Sequence, residues 1–132
     1  MTQKEKSLLL QDLCARLPYG VKIRIRNDYV RFQIEEHELC AEHLANVSYN
    51  IENLSMRPYL RPMSSMTEEE KETYYNLCYE EEREELEFGE WAARIHYHDT
   101  IDSIDYLNSI HIDYRGLIEK GIALEAPKDM YN

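Results

Sequence analysis

The run VKIRIRNDYVRFQIE, residues 21–35, decides the fold class. Val21 to Arg26 and Tyr29 to Glu35 each alternate apolar with polar residues, the period-two signature of a half-buried strand. Asn27 and Asp28 stand between them, and both residue types tolerate the positive φ angles of a two-residue hairpin turn. Counting outward from that turn pairs Ile25 with Val30, Ile23 with Phe32 and Val21 with Ile34 on one face. The other face pairs Arg26 with Tyr29, Arg24 with Arg31 and Lys22 with Gln33. Arg24 opposite Arg31 is a like-charge pair that needs neutralising. The expected neutralisers are acidic side chains of the same chain, from 80–85; the alternative is an anion, which Arg24, Arg31 and Arg115 would contact.

The flanks of the hairpin read as helix before and a mixture after. Thr2 and Glu5 form a capping box, each side chain able to accept an amide hydrogen left without a partner at a helix start. Leu10, Leu13, Cys14 and Leu17 recur at helical spacing with Leu9 beside them, which assigns Cys14 to the core, and Pro18 and Gly20 end the helix. Glu36 to Glu38 reads as a turn, and Leu39–Leu44 and Val47–Ile51 as further strands. RPYLRPMSSM, 57–66, reads as a stiff connector, because each proline fixes its own φ and holds its predecessor extended. Thr67 and Glu70 make a second capping box for a helix with Tyr74, Leu77 and Cys78 on its apolar face. That helical reading carries Glu80 to Glu85 as a solvated acidic face and continues after Gly89 through Trp91, Ile95 and His98. Asp99 with Asp102 gives an N-cap pattern for a helix bearing Ile101, Ile104, Leu107 and Ile110. Gly121 sits where a residue just past a helix end belongs, and 126–132 reads as a tail. The expected fold is one α+β domain over 1–132: an N-terminal helix, a small antiparallel sheet of the hairpin plus one or two strands, and a C-terminal helical half.

Charge narrows the function classes. Fifteen basic against 26 acidic residues leave a net charge of −11, which disfavours a nucleic-acid binder and suits a basic partner. Cys14, Cys40 and Cys78 are too sparse for a disulfide framework and lack the spacing of a zinc ribbon, which fits a reducing compartment. The N-terminal apolar run is too short for a signal segment and none reaches a membrane span, so a cytoplasmic protein is expected.

The densest run of chemically capable side chains is YLNSIHIDYRGLIEKG, 106–121, with Asn108, His111, Asp113, Tyr114 and Arg115. His96, His98, His111 and Asp113 are ligand types that suit zinc, manganese or iron. Residues two apart share a face on a strand and diverge by about 200° on a helix, so the helical reading of 91–98 separates His96 from His98. Ser64 and Ser65 lack a nucleophile elbow, and the four glycines are too scattered for a phosphate loop. The expectation is therefore no cofactor, no catalytic residue, and a module that binds another protein. Its interaction surface is Glu80, Glu81, Glu82, Glu84 and Glu85, with eleven tyrosines available for interfaces. A small metal-dependent enzyme using the His/Asp group, or an acidic mimic of DNA, are the alternatives.

Three blocks, LCARLPYGVK at 13–22, PYLRPMSSMTEEEK at 58–71 and DYLNSIHIDYRGLIEKGIALEAP at 105–127, resemble a small-protein family common in gut Bacteroidetes and their phages and mobile elements. Residues 27–50 and 79–100 match no block of it. The resemblance implies context alone, an accessory protein of a bacterial or phage cytoplasm, and transfers no activity or site residue.

Overall fold

The structure, a computed structural model, describes residues 1–27, 33–87 and 90–131. It is α+β, with the chain in two compact units, one of 1–65 with 108–132 and one of 66–107. No described helix is long and apolar enough to cross a membrane.

The first unit opens with helix α1 (Gln3–Arg16), started by the reciprocal Thr2–Glu5 cap. A short 3-10 turn, Leu17–Tyr19, follows, and Gly20 reverses the chain at φ 69°. That angle calls for glycine; a Cβ there would also stand 2.6 Å from Oε1 of Glu38, a flexible side-chain end that can move aside. Strands β1 (Lys22–Asn27) and β2 (Gln33–Glu38) then pair antiparallel. Helices α2 (Ala41–Ala45) and α3 (Val47–Asn53) lead to β3 (Arg57–Leu60), and near the C-terminus β6 (Leu124–Glu125) completes a sheet of order β2-β1-β3-β6. β1 pairs β3 antiparallel, and β3 pairs β6 in parallel.

Leu9 and Leu13 of α1, Val21 just before β1, Ile23 of β1, and Met56, Leu60, Leu117 and Ile122 meet in the core. Each such side chain removed from water contributes about 1.5–3 kcal/mol. The buried stripe of α1 is Leu9, Asp12, Leu13 and Arg16, not the expected set, and Cys14 is exposed. Helical spacing admits both sets; packing selects the one whose charged members find partners.

The hairpin register differs from the expected one. Lys22 faces Glu38, Ile23 faces His37, Arg24 faces Glu36 and Arg26 faces Ile34. Ile23 therefore does not pair with Phe32, which lies outside the described residues together with Arg31. Every residue of β2 is exposed, so no buried face dictates its register. Opposite charges are set across the strands instead, and Arg24 meets Glu36 of its own hairpin.

Three further readings change. Residues 41–53 are helical rather than strands. The first four residues of the supposed connector are β3, whose proline-imposed extension suits a strand, and Met63–Ser65 is a 3-10 turn. The supposed tail is docked: the Tyr131 hydroxyl donates to the Tyr59 carbonyl and accepts from the Lys22 amide.

The second unit holds α4 (Glu68–Leu77), capped by Thr67 and Glu70 as expected, and β4 (Tyr79–Glu87) paired antiparallel with β5 (Glu90–His98). Residues 80–85 and 91–98 are thus strands, against the helical reading. Intrinsic helix preference amounts to at most about 0.7 kcal/mol per ordinary residue, and strand pairing overrides it. Helix α5 (Ile101–Ser109) is capped by Thr100, not Asp99: Thr100 Oγ1 accepts from the Ser103 amide, and Ser103 Oγ from the Thr100 amide. Asp99 instead accepts from the Tyr74 hydroxyl.

Candidate functional site

The expected polar stretch does form a cluster, and Asp12 organises it. Asp12 and Arg16 lie one helical turn apart on α1, both 0% exposed, with Arg16 Nε 2.8 Å from Asp12 Oδ2. Arg115 Nη1 approaches Oδ1 of the same carboxylate at 2.9 Å. One carboxylate thus holds two guanidinium groups. Arg16 Nη2 also donates to the Ile112 carbonyl at 2.7 Å, tying α1 to the 106–121 stretch. The ring of Tyr114 receives both cations, at 5.3 Å from Arg16 and 4.8 Å from Arg115. Its hydroxyl donates to the buried Asn108 side chain at 3.0 Å.

Asp113 is engaged differently. Its two oxygens accept the amides of Leu117 and Ile118 at 2.8 and 2.9 Å. These bonds hold the turn that carries Leu117 into the core. Arg61 grips the same segment from β3's end: its amide donates to the His111 carbonyl, and its carbonyl accepts the Asp113 amide, both at 2.8 Å.

His111 is the unusual member. It is 8% exposed and adopts φ 64°, a left-handed conformation uncommon outside glycine. Its ring stacks on Tyr131 with centroids 3.8 Å apart. Burial, then the charges of Arg16, Arg61 and Lys22, push its pKa down to about 4, so the imidazole is neutral near pH 7. Among the described residues, Arg16 Nη1, Arg24 Nε and His111 Nδ1 are buried without a hydrogen-bond partner. Burial also pushes the Tyr131 hydroxyl up to about 12, which keeps it a donor to Tyr59.

Chemically, this cluster is a clamp. Both oxygens of Asp12 and of Asp113 are engaged by fixed donors, and His111 Nδ1 has no hydrogen-bond partner among the described residues. Arg115 pairs with Asp12. Arg24 is half-buried, flanked by Glu36 on β2 and Arg57 on β3, and burial with Arg24's charge lowers the Arg57 pKa.

The remaining expected site residues fall elsewhere. His96 and His98 lie two apart on β5, in the second unit, whereas His111 and Asp113 belong to the first. Among the described residues no group of three or more His, Cys, Asp or Glu is placed to hold a metal ion. Glu80, Glu81, Glu82, Glu84 and Glu85 are on β4.

Two features escaped the sequence reading. Asp12 and Arg16 have an opposite-charge i,i+4 signature inside the Leu9–Leu13 stripe, visible only if charged residues are allowed on a buried face. The other is the outer edge of β2, with Glu35, Glu36 and Glu38 along it, which no described strand pairs.

No family model, curated protein or solved structure matches the chain.

Proposed function

We propose that this chain is a non-enzymatic protein-interaction module that takes an extended, basic segment of a partner along the open edge of β2. The observation that carries the reading is the edge itself. β2 ends the sheet, all six of its residues are exposed, and Ile34 stands 60% exposed among three glutamates. An unpaired edge offers a row of backbone donors and acceptors to an added strand.

Charge selects the occupant. Pairing β2 in full antiparallel register with a second copy would set Glu35 against Glu36, and parallel pairing would stack each glutamate on its own copy. A segment bearing Lys or Arg at alternate positions meets those carboxylates favourably. The chain's net charge of −11 favours encounter with such a segment. The polar residues with catalytic potential are meanwhile engaged in the clamp around Asp12 and Asp113. An accessory protein of a bacterial or phage cytoplasm is the context proposed with this reading.

The test is a titration, in chelator, with a fluorescent peptide alternating Lys with Val, against a helix-forming peptide of equal charge. The extended peptide should bind, Glu35→Lys should weaken it, and added salt should slow association. Equal binding of both peptides, or indifference to Glu35→Lys, would contradict the proposal.

A further inference from the structure

The sheet face turned away from the core gathers positive charge in an acidic chain. Ile23 is buried, so its neighbours along β1, Lys22 and Arg24, belong to the opposite face, and Arg26 follows by the period of two. Register sets Arg57 of β3 beside Arg24 on one side, and Glu36 and Glu38 of β2 beside Arg24 and Lys22 on the other. Among the described strand residues that face holds four cations and two carboxylates, a surplus of two in a chain of net charge −11. Arg24 and Arg57 stand directly opposite each other, a like-charge arrangement that destabilises a sheet unless it is neutralised. Glu36, across from Arg24, already accepts the Tyr59 hydroxyl at 2.9 Å. Arg57 gives Nη1 to the Met56 carbonyl at 2.9 Å, and Arg24 Nε is buried with no hydrogen-bond partner among the described residues. Burial, then the charge of Arg24, lower the Arg57 pKa, the direction expected of two guanidinium groups that repel.

We infer that Arg24 and Arg57 together bind a phosphate-class oxyanion on this face of the sheet. Residues opposite on adjacent strands have their Cβ atoms about 4.5–5.5 Å apart, so two guanidinium groups reach one tetrahedral group. Each guanidinium is a planar fork of donors whose geometry matches phosphate oxygens. Charge selects phosphate over carboxylate. A phosphate monoester carries about −1.5 to −2 and three acceptor oxygens, which offsets the surplus of two; a carboxylate supplies one charge. The pair is not the one expected from sequence. Arg31 lies outside the described residues and Arg115 is held by Asp12, whereas Arg57 comes to Arg24 because β3 pairs with β1. The site lies between β1 and β3, apart from the outer edge of β2, and it takes an anion where that edge takes a basic segment.

The experiment follows the arginine side-chain signals of the full chain, labelled with 15N, while inorganic phosphate replaces chloride at constant ionic strength. A second arm uses O-phosphoserine, and the tighter of the two probes tells a free ion from a phosphorylated residue. The Arg24 and Arg57 signals should shift to saturation with at least one probe. Arg24→Gln and Arg57→Gln should each weaken binding by at least about 10-fold, the loss of one hydrogen bond to a charged group. Arg24→Lys, which keeps the charge and loses the fork, should weaken it as well. Lys4→Gln, which removes an exposed cation of α1, should leave it unchanged. No saturable shift with either probe, a shift that chloride alone reproduces, or unchanged affinity in Arg24→Gln or Arg57→Gln would overturn the site.

Discussion

Asp12 is the residue on which the first unit's polar interior depends. Removing one partner of a buried ion pair leaves a charge without compensation, so Asp12→Ala should cost about 3–5 kcal/mol in urea melts. Replacing Asp12 and Arg16 together with Leu and Met should cost less than the single change, because no buried charge then remains on α1. Equal losses would mean that the helix packs without needing the pair. His111 sets a pH dependence. Its folded pKa of about 4 lies below the ordinary value of 6.5, so the unfolded chain binds the extra proton first. Its contribution is complete above about pH 6.5 and is lost as pH falls toward 4. His111→Asn, which tolerates the positive φ, should flatten the stability profile across that window relative to the parent chain. An unchanged slope would contradict the buried, neutral imidazole. At this scale the capping boxes of Thr2 and Thr67 were legible in sequence, because their partners lie three residues away. The Asp12–Arg115 pair and the Tyr131 contacts were not, because their partners come from distant parts of the chain.

Among the elements, the hairpin shows where sequence pattern stops determining structure. The alternation in 21–26 correctly marked a strand with Val21 and Ile23 inward, since burial enforces it. The alternation in 29–35 said nothing reliable about register, because β2 buries no face and charge pairing sets its position. The observed register makes a direct prediction. Ile23→Ala should cost about 2–5 kcal/mol, the range for truncating a buried aliphatic, whereas Ile34→Ala should change stability by no more than about 0.5 kcal/mol. Comparable losses at both positions would restore the two-residue-turn register. β3 was half legible: its prolines announced extended backbone, but its strand partners, β1 and β6, are distant in sequence, with Pro58 against Ile23 and Tyr59 against Leu124, and leave no local trace. The acidic run on β4 was misread for the converse reason, since glutamate's preference for helix is weak beside strand pairing.

For the molecule as a whole, the α+β class followed from the hairpin and the two capped helices, and the excess of acid followed from composition. The densest polar stretch was located correctly and turned out to hold the fold together, with its carboxylates on guanidinium groups and backbone amides. No described strand pairs the outer edge of β2, whose residues are all exposed, and the account's central claim is that a partner strand is added there. Amide hydrogen exchange of the chain with and without the Lys/Val peptide tests it most directly. The account predicts new protection at the β2 amides that point away from β1, within 33–38, with the amides of the 111–118 clamp unchanged. Protection that appears in the clamp or on α1 while β2 exchanges as before would contradict it.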